Sequence, residues 1–332
     1  MLTVLFLVGG LSLILLSAEI FTNGIEWLGK KLKLSEGAVG SVLAAVGTAL
    51  PESMIPVIAI LSGTGKSVHD IGIGAILGAP FMLATLALSI VGIAAMIYKV
   101  NGKRREYMLI NPSIMRRDLG FFILVYTIAI AAAFLPQGFK IPVAILLILT
   151  YFFYVARTLR DGATLCDTEL KPLHFAKKLK EPSTGVVVFQ VVAALGGIIA
   201  GAHMFVDGIK HLSEILHISP FVLSIIIAPI ATELPEKFNS LIWVRNCKDT
   251  LAIGNITGAM VFQGSMIPAF GIAMMPWELS EPALMSALLA LAGAGMIYLS
   301  LRIKKEIRPA TLAFNGVFYI VFLVAAFTVY RH

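Results

Sequence analysis

Two carboxylates stand out by their neighbours. Glu52 and Glu236 each follow a proline, and each closes a Thr-x-Leu-Pro-Glu run, Thr48–Glu52 and Thr232–Glu236. Both runs lie in apolar stretches long enough to cross a bilayer, where an ionisable side chain is costly and usually functional. Proline has no amide proton, so Pro51 and Pro235 should break their helices and leave the carbonyls of Gly47 and Ala231 without a donor. Each broken helix then offers a carbonyl, a threonine hydroxyl and a carboxylate at one depth. Hard oxygen ligands of that kind suit Ca2+, Na+ or protons and do not suit soft metals. Glu233 adds a carboxylate three residues before Glu236. A packing helix with a stray acid would not bring acid and proline together twice.

The elements that must carry these residues are membrane helices. Of the 332 residues 58% are hydrophobic and 14% charged, with a mean hydropathy of +0.91. Soluble domains carry about 25% charged residues. Runs of about 20 apolar residues fall at 2–22, 37–62, 69–95, 119–136, 140–157, 184–208, 219–243, 249–274, 281–301 and 310–330. They are too long and continuous for the strands of a membrane barrel. No long charged run offers a nucleic-acid arm, and two cysteines are too few for a disulfide framework or a four-cysteine zinc site. No phosphate loop, nucleophile elbow or His-Glu-x-x-His motif is present, so an enzyme is not expected, nor is a cofactor.

The chain repeats itself. Shifted by 184 residues, 18–54 aligns with 202–238 without a gap and twelve of 37 positions match, Gly24/Gly208, Ser35/Ser219 and Pro51-Glu52/Pro235-Glu236 among them. Farther on, Gly74, Gly78 and Ala79 match Gly254, Gly258 and Ala259. Each half holds five spans, an odd number, so homologous halves run in opposite senses through the membrane. That is an inverted-topology repeat, an architecture many secondary transporters use for alternating access. The expected organisation is a first five-helix repeat at 1–157, a cytoplasmic linker at 158–182 and a second repeat at 183–332. All but four of the 26 basic residues (Lys66, Lys140, Lys210 and Arg331) fall in or beside the odd loops. The positive-inside rule therefore puts both termini outside. The plasma (inner) membrane is the expected location.

The Thr-x-Leu-Pro-Glu pair, followed in each half by a Gly-x-x-x-Gly helix, resembles the cation/calcium antiporter superfamily of sodium/calcium and proton/calcium exchangers. Its typical motifs are matched here by Gly47-Thr48-Ala49-Leu50-Pro51-Glu52 with Gly74-Ala75-Ile76-Leu77-Gly78-Ala79, and by Ala231-Thr232-Glu233-Leu234-Pro235-Glu236 with Gly254-Asn255-Ile256-Thr257-Gly258-Ala259. The resemblance implies an all-α integral membrane protein of ten helices in two inverted five-helix repeats. It implies that Glu52 and Glu236 clasp a transported Ca2+ at the midplane, while spans 1 and 6 slide as a gate over a core of spans 2–5 and 7–10. Thr48, Thr232, Glu233, Gly47, Ala231, Asn255 and Gln263 complete the candidate cation site. Where sodium-using members carry serine, this chain has Ala49, Ala79 and Ala259. Leu83 replaces an asparagine or aspartate, and Gln263 keeps an amide.

A site stripped of neutral oxygens favours protons over sodium, because protons ask only for buried carboxylates close together. The function read from the sequence is thus an antiporter exchanging Ca2+ for H+. A sodium-driven Ca2+ exchanger and a divalent cation channel are the alternatives. Glu19 and its repeat partner His203 are candidates for a proton relay. The expected partners are small inorganic cations and the lipid bilayer, with no nucleic acid. Thiol labelling tests the topology: residues 158–182, which include Cys166, should react with an impermeant reagent only from the cytoplasmic side. Labelling from outside would overturn the inverted arrangement.

Overall fold

A computed structural model describes residues 2–32, 44–62, 65–98, 104–160, 171–177, 179 and 181–330. It is a bundle of α-helices: α1 (Leu2–Lys31), α2 (Ala44–Ser62), α3 (Lys66–Ile97), α4 (Pro112–Ala131), α5 (Gln137–Arg160), α6 (Thr184–Leu216), α7 (Pro220–Arg245), α8 (Asp249–Met274), α9 (Glu281–Lys304) and α10 (Pro309–Thr328). Among the described residues eight helices are long and apolar enough to cross a membrane. Glu52–Leu61 in α2 and Pro220–Glu233 in α7 are shorter apolar helices.

The helix ends explain where hydropathy misjudged the boundaries. Span 4, expected to begin at 119, begins at Pro112. Asn111 caps it by accepting hydrogen bonds from the backbone amides of Ser113 and Ile114, with Pro112 in the first turn. The first two turns are polar, so an apolar window passes over them. The prolines of α2 and α7 behave differently from expectation as well. Both helices continue through Pro51 and Pro235 without interruption. A missing amide donor costs one ladder bond, and neighbouring helices hold the rest of the turn in place.

Helices α1 and α6 pack along one another in opposite directions. A Cβ on Gly10 would lie 2.8 Å from the Gly201 carbonyl, one on Gly24 would meet Val191, and one on Gly208 would meet Leu7. Residues that rise along α1 meet residues that fall along α6. Gly24 and Gly208 are repeat equivalents, and so are Leu7 and Val191 at the same 184-residue shift. The two contacts are therefore related by the internal symmetry, and the halves are inverted. By contrast α3 and α7 run parallel: Gly74 abuts the Phe221 carbonyl and Gly78 the Ile225 carbonyl, at 2.8 and 2.6 Å from where a Cβ would stand. Ser224 Oγ donates to the Ile71 carbonyl at 2.7 Å across the same seam. In apolar surroundings, close backbone approach of this kind is a main source of helix adhesion. The repeat counterparts of Gly74 and Gly78 do not use it: a Cβ on Gly254 or Gly258 would meet only Met115 Cε or Tyr154 Oη, at ordinary contact distance.

Two polar devices fix helix positions, the first of them at the start of α8. At its start, Asp249 accepts from Arg105 Nη1 at 2.8 Å and from the Leu109 amide at 2.8 Å, while Arg105 Nη2 donates to the Val244 carbonyl at 2.6 Å. Both side chains are nearly inaccessible, 3% and 0% exposed. The second device is a π-turn at Leu83–Ala87 within α3. Asn315 of α10, wholly buried, donates to the Ala84 carbonyl at 2.8 Å and to the Gly293 carbonyl at 3.3 Å. An inserted side chain of this sort widens the helical ladder. Pro80, a turn earlier, has already removed one of its donors. The Arg105–Asp249 pair gives a stability prediction. Asp249→Ala should cost about 3–5 kcal/mol by leaving a buried guanidinium without its counter-charge, with Asp249→Asn costing less. Thermal unfolding of the purified chain, followed by the loss of the monodisperse elution peak, measures both.

Candidate functional site

The middle of the bundle gathers three side chains from three helices. Glu52 comes from α2, Glu233 from α7 and Gln263 from α8. Gln263 Nε2 donates to Glu52 Oε2 at 2.7 Å and also to Glu233 Oε1. Glu233 is 0% exposed and Gln263 2%, while Glu52 is half-buried. A primary amide has two N–H bonds, and an ionised carboxylate only accepts. Facing two carboxylates, the amide therefore presents its nitrogen to both. Its oxygen, Gln263 Oε1, has no hydrogen-bond partner among the described residues. The cluster joins the two halves, since Glu52 belongs to the first and the other two to the second.

Other expected ligands are placed less uniformly. Thr232 is buried, and its hydroxyl donates to the Ala228 carbonyl at 3.0 Å, which leaves its oxygen lone pairs free to accept or to ligate. Ala231, beside it, is half-buried on α7. Gly47, Thr48 and Glu236 lie within α2 and α7, and the side chains of Thr48 and Glu236 are outside the described residues. Asn255 is exposed on α8, more than two turns from Gln263. Leu83, the repeat counterpart of Gln263, is wholly buried at the start of the π-turn and brings no oxygen from its side chain. The Glu19–His203 pair is not drawn together with this cluster. The Glu19 side chain is 67% exposed and lies 3.9 Å from His174 Nε2, and His203 is exposed on α6. Glu19 therefore lies on the outer side of α1, and the 171–176 segment packs one to two turns farther along that helix. There Trp27 Nε1 donates to the Lys171 carbonyl at 2.9 Å, and Asn23 Oδ1 accepts from the His174 amide at 3.1 Å.

Two buried acids lie outside the expected site residues, Asp249 at the start of α8 and Asp118 on α4. Asp118 of α4, 2% exposed, accepts from Thr257 Oγ1 of α8 at 3.0 Å and from Tyr154 Oη of α5 at 3.1 Å. Arg117 pairs with it at 3.0 Å. Because span 4 was expected to start at 119, Asp118 fell outside it. The Asn111-Pro112 cap signature would have moved the start back far enough to include it. Thr257 lies within the second-half Gly-x-x-x-Gly segment, so Asp118 fixes that part of α8 to α4 and α5.

Comparison with known proteins follows the same lines. Residues 2–160 and 186–328 match the profile of the family described as Sodium/calcium exchanger protein. The putative antiporter CaxA of Alkalimonas amylolytica is 27% identical, covering 91% of this chain and 90% of its own. The sodium/calcium exchanger MaX1 of Methanosarcina acetivorans is 24% identical over 98% of this chain and 99% of its own. Among solved structures, the H+/Ca2+ exchanger CAX has a TM-score of 0.73 at 17% identity, covering 95% of this chain and 82% of that one. The sodium-calcium exchanger NCX_Mj has a TM-score of 0.58 at 20% identity, covering 98% and 99%. At such identities the structural likeness speaks for the fold alone. The family match, however, takes in both halves with both Thr-x-Leu-Pro-Glu segments, and this chain belongs to the sodium/calcium exchanger protein family of multi-pass membrane antiporters.

Proposed function

We propose that this chain exchanges Ca2+ for protons across the membrane by alternating access, with Glu52, Glu233 and Glu236 as the carboxylates that take up the one or the other. The observation that carries the reading is the Gln263 amide held between Glu52 and Glu233. The amide hydrogens face both carboxylates, and in the proposed cycle a proton held between these acids takes the place of the cation. When Ca2+ arrives, the carboxylate oxygens turn to the cation and the proton leaves. A rotated Gln263 would then offer its otherwise unpartnered Oε1 as a further hard ligand. Thr232 and the Ala231 carbonyl, next to Glu233 on α7, would complete such a site. The antiparallel pair α1 and α6 is the layer that moves, and the plasma membrane, with both termini outside, is the setting we assign.

Protons are preferred over sodium for a chemical reason. A sodium site is built from several neutral oxygens, and Ala49, Ala79, Leu83 and Ala259 have none in their side chains. The buried position of Leu83 in the π-turn supports this choice.

Flux of Ca2+ into proteoliposomes tests the proposal. An outward-directed H+ gradient should drive Ca2+ uptake in sodium-free medium. Uptake that demands sodium and ignores the pH gradient would assign the sodium-driven exchange instead, and flux needing no counter-ion gradient would indicate a channel. Glu52→Gln and Glu236→Gln each take one charge from a buried cation site, a loss on the order of 3–5 kcal/mol. That exceeds a hundredfold in affinity, so uptake should fall to background while the elution profile stays unchanged. Glu233→Gln should retain folding and displace the pH dependence of uptake. A pH profile identical to that of the parent chain would remove Glu233 from the proton-carrying set.

A further inference from the structure

A second polar feature lies away from the carboxylate cluster, at the end of the bundle where the basic loops gather. Helices α4, α5 and α9 enclose an open groove of about 560 Å3. Four arginines line it: Arg116 and Arg117 from α4, Arg157 from α5 and Arg302 from α9. Arg117 is committed to Asp118. Among the described residues Arg116, Arg157 and Arg302 have no ion-pair partner, and all three are exposed. Guanidinium groups brought together on three separate helices repel one another unless an anion joins them. Their planar, forked donors match phosphate oxygens in pairs.

The α4 wall of the groove identifies the source of the phosphate. Its lining positions are 113, 116, 117, 120, 121 and 124, a single helical stripe at spacings of three and four. Along that stripe the chemistry changes from cationic at Arg116 and Arg117 to apolar at Phe121 and Leu124. From Arg116 to Leu124 is about 12 Å at 1.5 Å per residue. Leu124 is 52% exposed on a helix that crosses the membrane. A free phosphate would use only the cationic end. A phospholipid uses both, with its phosphate among the arginines and its first acyl carbons along Phe121 and Leu124. We propose that this groove is a binding site for an anionic phospholipid. Basic pockets between membrane helices are a known physical solution for holding such headgroups.

The test reads binding directly and does not depend on what the protein transports. The full-length chain, purified in a neutral detergent, is incubated with phosphatidylglycerol or phosphatidylcholine, and bound lipid is counted by native mass spectrometry. Phosphatidylglycerol should be retained in preference to phosphatidylcholine. The double substitution Arg157→Gln with Arg302→Gln should weaken that retention about 30-fold, taking about fivefold for each basic residue near an anionic lipid. Arg308→Gln, at the same end but stacked over Tyr107, should leave it unchanged. Should the double variant not be recovered folded, Arg116→Gln alone carries the decision at about fivefold. Retention equal to the parent in these groove variants would overturn the proposal. Displacement of the lipid by millimolar inorganic phosphate would overturn it too, by assigning the groove to a free anion.

Discussion

One buried and one half-buried carboxylate in an apolar bundle must be answered by something positive or by hydrogen-bond donors, and here one amide reaches both. That requirement governs much of the surrounding architecture. Glu52, Glu233 and Gln263 come from three helices and two halves of the chain, so the triad exists only while α2, α7 and α8 keep their relative depth. Along α8 the means of keeping it are spaced regularly. Asp249 is tied to Arg105 at the helix start, and Thr257 to Asp118 about 12 Å farther on. Gln263 follows about 9 Å beyond that. The polar contacts that look like isolated buried pairs thus act as a series of stops for one helix.

Close packing does the remaining work, and it is distributed unevenly. Within lipid there is little hydrophobic gain in bringing two apolar helices together, so adhesion rests on how closely backbones approach. Gly74 and Gly78 give α3 such an approach to α7, and Gly10 and Gly201 give one to the α1–α6 pair. The equivalent glycines of the second half, Gly254 and Gly258, lie against longer side chains at ordinary distance. There α8 is held by hydrogen bonds and an ion pair in place of backbone contact. The two halves therefore solve the same packing problem by different means.

Much of this was legible before any coordinate. Long apolar runs, the 184-residue repeat and the odd number of spans per half lead to an inverted helical bundle, and the symmetric Gly24–Val191 and Gly208–Leu7 contacts agree with it. Glu52 and Glu233 could be picked out because acids are rare inside apolar runs. Gln263 was visible only as an amide that had been kept. That its nitrogen spans two carboxylates depends on rotamers and helix depth, which no linear pattern encodes. Asp118 and Asp249 were missed for a different reason. Asp118 lies before the apolar run of its helix and Asp249 is the first residue of its own run, end positions at which the fold nevertheless buries the side chain. Glu19 is different again: it lies midway along α1, but on a face that the bundle leaves exposed, and which face of a helix turns outward depends on its partners. The π-turn was invisible as well, since its cause lies in Asn315, more than 200 residues away.

The mismatch between repeat equivalents has an energetic meaning of its own. In a chain of two identical inverted halves, the form open to one side and the form open to the other would be mirror descriptions of one structure, with equal free energy. Here Glu233 stands opposite Ala49 in the repeat, and Gln263 opposite Leu83. The degeneracy is lifted at the very residues that meet around the amide. Whichever way such a bundle opens, it shows a different set of charges and donors to the water that enters. The two halves of this chain are therefore not interchangeable, and the residues around the amide are among the positions that make them differ.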